Sequence, residues 1–149
     1  MTNHVRAKTA QGPAHRLTLR VYYEDTDFSG RVYHASYLRF LERGRTEWLR
    51  ARGLRQQEMA KGVSIVFVVR RLTIDFIKPA TMDDLLIIET RMTALGAASF
   101  DFSQAILRDE IRLAEAAVGV VALKGDRPAR LPPELRARLL EDAELSPIC

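Results

Sequence analysis

The sequence predicts a two-layer α+β domain on three observations: an amphipathic stripe from about position 31 to 52, one alternating segment ahead of it, and four β-rich segments after Gly62 joined by hairpin-length connections. A single long helix with one apolar stripe must bury that stripe, and an antiparallel sheet is the only other layer on offer. The alternating segment comes first. Leu17, Leu19, Val21 and Tyr23 alternate with Thr18, Arg20 and Tyr22, the period of a strand with one buried face. It runs into Glu24 to Gly30, a polar stretch ending in glycine, which is turn chemistry. From about Arg31 the spacing changes: Tyr37, Leu38, Leu41, Gly44, Arg45, Trp48 and Leu49 fall three or four residues apart. Gly44 on that stripe costs up to ~1 kcal/mol of helix propensity relative to alanine, and close packing against another backbone would explain it. Arg52-Gly53 supplies a basic last turn and a residue suited to the left-handed position after a helix.

A short helical turn is expected at Gln56 to Ala60, then strands at Val63 to Ile77, Leu85 to Leu95, Ser99 to Leu107 and Ile111 to Leu123. Asp83-Asp84, Gly96 and Asp109-Glu110 separate them, and such short connections imply antiparallel neighbours. In the last strand, Val118, Val120 and Ala122 alternate with Gly119, Val121 and Leu123, which predicts cover on both faces. Pro132-Pro133 introduces a Leu-rich helix over Glu134 to Glu141.

A chain of 149 residues with 47% hydrophobic residues fits one domain, expected over 16–149 behind a disordered arm at 1–15. The arm has no apolar run of the secretory type, and no segment approaches the ~20 apolar residues of a membrane span. The only cysteine, Cys149, excludes an internal disulfide, and a cytoplasmic location is expected. The net charge of +4 suits a phosphate-bearing partner, but no nucleic-acid recognition motif accompanies it, so no nucleic-acid partner is expected.

The segment Val21-Tyr22-Tyr23-Glu24-Asp25-Thr26-Asp27-Phe28-Ser29-Gly30-Arg31-Val32-Tyr33-His34-Ala35-Ser36-Tyr37-Leu38 resembles the YbgC-like, Tol-Pal-associated branch of the 4-hydroxybenzoyl-CoA thioesterase family. The resemblance continues through Leu41 to Trp48, Phe67 to Leu72 and Pro79-Ala80. It implies a hot-dog fold, a curved antiparallel sheet wrapped around one long central helix, with the active site between two subunits of a dimer or dimer of dimers. It also implies hydrolysis of acyl-CoA or acyl-carrier-protein thioesters without a cofactor. Asp27 is then the catalytic carboxylate and His34 lies beside the reacting carbonyl, with Tyr23, Phe28, Gly30 and Tyr33 as expected substrate contacts. Phe28-Ser29-Gly30 stands where relatives often carry Ala-Gly-Gly, which bears on the acyl pocket.

The residues support that chemistry separately. Thioester hydrolysis needs a group to deliver water or attack the carbonyl and donors to stabilise the oxyanion. A carboxylate in the turn before a helix does the first, and the unpaired amides at the helix start, at Tyr33 to His34, do the second. Asp27 acts as nucleophile or as general base, and both stay open at this level. Plainer readings are helix capping for Asp27 and a hydrogen-bonded helix histidine for His34. Asp25, Asp27, Ser29 and Gly30 match the start of a calcium loop, but its twelfth position is Ser36 rather than Glu, so no metal is expected. Glu42, Arg43, Arg45 and Glu47 read as a solvated helix face or interface contacts; Arg70, Arg71, Arg91 and Lys78 read most simply as solvent-facing positions, with CoA phosphates as the alternative partner, and are not assigned to the site. A non-catalytic module that binds acyl thioesters is the alternative from another class.

Overall fold

The computed structural model describes residues 5–7, 14–141 and 145–147; Cys149 lies outside them. In chain order the elements are β1 (Val5–Ala7), β2 (His15–Arg20), α1 (His34–Ala51), α2 (Gln56–Gly62), β3 (Val66–Phe76), β4 (Leu85–Leu95), β5 (Ser99–Arg108), β6 (Ile111–Lys124), β7 (Arg127–Pro128), α3 (Pro133–Leu139) and β8 (Leu145–Pro147). Three residues of the segment expected to be a disordered arm, Val5–Ala7, instead pair with Leu145–Pro147 and with the end of β4, and His15 already belongs to β2. The sheet is antiparallel with the order β3-β6-β5-β4-β1-β8; β2 lies against the first half of β4 and β7 against the end of β6. Strand β3 is thus not the neighbour of β4 that the short connection through Asp83-Asp84 implied, because β2 and β5 occupy the two sides of β4 and β3 pairs with β6 instead. This is the hot-dog arrangement, with the sheet curled over one face of α1.

Why the sheet curls is visible in its registers. An extra residue interrupts pairing at Arg70 in β3 and at Thr93 in β4, and β5 slips against β6 between Ile106 and Leu107. Each irregularity bends its strand and increases the local twist. The hairpin from β5 to β6 closes through Asp109 and Glu110, both with positive φ (51° and 63°), the geometry of a two-residue turn with the strands' own twist.

The concave face carries Leu86, Ile88, Met92, Phe100, Phe102, Ile106, Val118, Val120 and Ala122, all buried, and α1 sets Tyr37, Phe40, Leu41, Trp48 and Leu49 against them. The indole of Trp48 meets the Phe102 ring edge-on at 5.0 Å. Leu38, expected on the buried stripe, is turned outward at 39% exposure while Phe40 is buried, so the stripe is rotated from the expected one. Gly119, Val121 and Leu123 on the convex face are half-buried, so the sheet's second side is not covered within this chain as the strand pattern suggested.

Gly44 explains how closely helix and sheet approach. A Cβ there would lie 2.6 Å from Ile88 Cγ2, 3.0 Å from Thr90 Oγ1 and 3.1 Å from Gln104 Nε2. The close neighbours are thus sheet side chains rather than the expected backbone. Gln104, buried beneath the helix, donates to the Leu41 carbonyl and to Thr90 Oγ1, both at 2.9 Å, and accepts from Arg45 Nη1 at 3.0 Å. Arg45 is therefore part of the core, 9% exposed, and not of the solvated face expected from its charge. The hydrogen bond to Gln104 offsets part of the cost of burying its guanidinium. Gly44→Val is expected to destabilise the protein by roughly 1–3 kcal/mol through overpacking, measured as a lower midpoint in urea with an unchanged slope.

Candidate active site

The functional segment begins where β2 ends. The strand stops at Arg20, before the expected Tyr23, because Val21 pairs with the 83–84 segment and the chain then turns: the Val21 amide donates to Asp84 O at 2.9 Å, and Tyr23–Asp25 forms a single 3-10 turn. Asp25 holds that turn. Its side chain is buried, Oδ2 accepts from the Tyr22 amide at 2.8 Å, Oδ1 stands 3.8 Å from Arg39 Nη2, and its carbonyl accepts from the Tyr33 amide at 2.9 Å. One residue thus ties the entry of the turn to the first turn of the helix.

Asp27 is its opposite, fully at the surface. Residues 27–30 form a reverse turn closed by the Gly30 amide on the Asp27 carbonyl (3.0 Å) and the Asp27 amide on the Arg31 carbonyl (2.9 Å), flanked by a bridge from Thr26 to Val32. Gly30 has φ +81° with open space where a Cβ would stand, so conformation demands the glycine, not crowding. Within the turn, Asp27 Oδ1 accepts from the Ser29 amide at 2.8 Å and from the Ser29 hydroxyl. These hydrogen bonds, first the hydroxyl and then the amide, with Arg31 and His34 nearby, hold the carboxyl below the usual aspartate range. The other oxygen, Oδ2, has no donor among the described residues.

The helix starts at His34, not at the expected Arg31, because Arg31 and Val32 are held in extended pairing. Arg31 bridges to Thr81, and the Val32 amide donates to Ala80 O at 2.8 Å. The 80–84 loop that receives them is itself braced. The Ala80 amide donates to Tyr37 Oη at 2.9 Å, while Asp84 Oδ2 accepts from the Thr81 amide (2.8 Å), the Thr81 hydroxyl and Arg108 Nη1 (2.6 Å). Burial opposes ionisation of Asp84, but these donors outweigh it and keep its pKa low. No side chain caps the start of α1. The Tyr33 amide, expected to be unpaired, is spent on Asp25 O and the Ser36 amide donates to Tyr33 O at 2.8 Å, so the His34 and Ala35 amides are the ones left without a backbone or side-chain acceptor among the described residues, at the partially positive end of the helix.

The sequence-predicted residues therefore gather at one place with different roles in the local structure. Asp27 and His34 face each other electrostatically across the turn, and the Tyr33 and His34 rings stack 4.4 Å apart, tilted by 47°. Tyr23 and Phe28 project into solvent, Tyr33 is half exposed, and Gly30 shapes the turn. Sequence reasoning missed Ser29 as the tether of the carboxylate, although a serine two residues after an aspartate is the spacing of that local bond. It also missed the Asp84–Arg108 brace, which joins positions far apart in the chain.

Comparison with known proteins turns this geometry into a family assignment. The profile of the thioesterase-like superfamily matches residues 21–139, from the first residue of the turn to the end of α3. The chain belongs to that superfamily. The acyl-CoA thioesterase YbgC of Haemophilus influenzae is 43% identical over 121 residues, spanning 80% of this chain and 89% of the relative. The acyl-CoA thioester hydrolase YbgC of Escherichia coli is 46% identical over 109 residues, 72% and 81% of the two chains. Among solved structures, a probable thioesterase from Bartonella henselae superposes with a TM-score of 0.77 at 46% identity, covering 80% of this chain and 99% of the other. A thioesterase of Thermus thermophilus, complexed with coenzyme A and Zn, gives 0.75 at 26% identity over 90% and 97%. This chain is thus a thioesterase with the hot-dog fold.

Both Ser29 bonds favour the ionised form of Asp27, and losing the hydroxyl one, the larger of the two, raises its pKa toward the ordinary aspartate value while the amide bond remains. In Ser29→Ala the acid limb of the kcat/KM profile is expected at higher pH than in the wild type. A coincident limb in the two proteins would show that another group governs it.

Proposed function

We propose that the protein hydrolyses acyl-CoA thioesters, with Asp27 as general base and the His34 amide at the start of α1 as the oxyanion site. The observation that carries this reading is the Asp27 carboxylate itself: ionised, tethered through one oxygen, and open to solvent through the other beside an uncapped helix start. Water adds its oxygen to the thioester carbon while its proton passes to Asp27 Oδ2. The carbonyl oxygen gains the negative charge and is met by the amide of His34. When the tetrahedral intermediate collapses, the carbon–sulfur bond breaks, the sulfur leaves with the bonding pair, and the proton held by Asp27 returns to it. Fixed donors need no reorganisation as charge develops, which is why the rigid seating of α1 matters for rate.

The substrate class is supported by the names of the H. influenzae and E. coli relatives and by the coenzyme A complex of the T. thermophilus thioesterase. An acyl-carrier-protein substrate has a separate observation in its favour, since a chloroplastic acyl-acyl carrier protein thioesterase of Arabidopsis thaliana is 26% identical over 129 residues. The two share the thioester and differ in what carries it, so both are assayed. Tyr23, Phe28, Gly30 and Tyr33 surround the acyl group in this reading, with a second subunit completing the wall. The support for that subunit is strand β3, which has β6 as its only partner among the described strands and exposes Val66, Val68, Val69 and Phe76.

Steady-state release of free CoA from short, long and aromatic acyl-CoAs is expected for the wild type, and Asp27→Asn is expected to lose about 10²–10⁴-fold in kcat/KM. A folded Asp27→Asn protein as active as the wild type would eliminate the mechanism, and activity on acyl carrier protein alone would replace the carrier. In a single turnover with enzyme in excess in ¹⁸O water, label is expected in the acid product and none in Asp27. Label in the carboxylate would instead identify it as a nucleophile passing through an anhydride.

A further inference from the structure

Arg45 raises a question that thioester hydrolysis at the helix start does not answer. Its side chain is nine-tenths buried, yet among the described residues Gln104 Oε1 is the only hydrogen-bond acceptor it meets, and no carboxylate stands within ion-pair distance, Glu42 acting on it through its field alone. The nearby acid, Glu42, accepts instead from the Thr46 hydroxyl at 3.2 Å, and Thr46 in turn accepts from Gln56. A guanidinium carries five N–H donors, and a buried cation with most of them unused is costly unless something else meets them. What Arg45 faces is a cavity of about 170 Å³ between α1, α2 and β3, walled on the apolar side by Leu49, Phe67, Val69, Phe100 and Phe102.

The cavity lies on a line from the active site. His34, Leu38, Glu42, Arg45 and Leu49 succeed one another at helical spacing along one side of α1. Strand β3 runs beside that side in the opposite direction, since Phe67 and Val69 meet the cavity near Leu49 while the Phe76 ring lies 5.2 Å from Tyr37 near the helix start. On this side Leu38, Val69 and Phe76 are left 39–51% exposed. From His34 to Arg45 is eleven residues, or ~16 Å along the helix axis, with these apolar side chains between and the Glu42 carboxylate beside the cavity.

We propose that the acyl chain lies across this side of α1 into the cavity and that Arg45 binds an oxygen at the chain's far end, so that the enzyme selects long acyl groups carrying a distal hydroxyl or carboxylate over those ending in methyl. The inference rests on the thioesterase reading of Asp27 and adds the substrate's distal chemistry to it. Gln104 acts as the positioning residue: held by Leu41 O and Thr90 Oγ1, it fixes one edge of the guanidinium and leaves the other edges for the ligand. Glu42 at the mouth accepts from a hydroxyl but repels a carboxylate, which separates the two forms of the oxygen.

The test compares kcat/KM for long acyl-CoAs of equal length ending in methyl, hydroxyl or carboxylate, together with a short acyl-CoA. A hydrogen bond to a buried charge corresponds to roughly tenfold or more, so at least that preference for one oxygenated end is expected in the wild type. In Arg45→Met the ratio of oxygenated to methyl-ended substrate is expected to fall to about one. Equal rates for all three ends in the wild type, or a preference that survives Arg45→Met, would overturn the proposal while leaving Asp27 catalysis intact. Should Arg45→Met fail to fold, Thr46→Phe fills the cavity mouth; it is expected to lower the long-to-short ratio, and an unchanged ratio counts against that path. If neither acyl-CoA nor acyl carrier protein thioesters are turned over, the thioesterase reading itself fails. Binding of non-hydrolysable thioether analogues with methyl and oxygenated ends then decides the cavity, equal affinities overturning it.

Discussion

The close seating of α1 on the sheet is the constraint on which the rest depends. At Gly44 the helix has no side chain, and directly opposite it Gln104 spends its amide on the helix backbone at Leu41 and on Thr90 of the sheet. An apolar contact slides; a buried amide with fixed partners does not, because displacing it leaves a polar group unpaired in the core. The helix therefore has one permitted height and rotation on the sheet. Its N-terminal amides inherit that position, and so does any chemistry performed in front of them.

Two aspartates separated by one residue divide the remaining work. Asp25 is inside, and its bonds to the Tyr22 amide and, through its carbonyl, to the Tyr33 amide make the turn rigid. Asp27 is outside and holds only Ser29, leaving one oxygen unencumbered. The same side-chain chemistry becomes scaffold or reagent according to which side of the chain the turn puts it on. The loop at 80–84 is the second support, since it pairs with Arg31 and Val32 and is itself clamped by Arg108.

How much of this was legible before the structure follows from the range of each interaction. The strands over 85–95, 99–107 and 111–123 and the long helix were readable, because period and punctuation are local. So was the clustering of Asp27, Tyr33 and His34, which needs only one turn. The start of α1 was misplaced by three residues because Arg31 and Val32 are held by positions some fifty residues later. Arg45 was misjudged for a related reason: its spacing from Leu41 and Trp48 marked a buried position, its charge argued for solvent, and the partner that reconciles them, Gln104, is fifty-nine residues away. The β3-to-β6 pairing was not legible: the short connection through Asp83-Asp84 made β3 and β4 read as neighbours, whereas β3 pairs with β6, some forty residues later in the chain.

The outer edge of β3, which meets no other strand among the described residues, has a further consequence, in colloidal terms. Eleven residues of strand with that edge unpaired among the described residues and with exposed valines form a template onto which extended chains can add without limit. This edge is not uniform: Arg70 bulges out of it, Arg71 follows, and Asp75 stands near its end. A bulge and a pair of arginines at mid-strand break the regular ladder that repeated addition requires, while leaving shorter, matched contact on either side. The same irregularity that bends the sheet over the helix thus also guards a dilute, newly folded chain against growing into an aggregate.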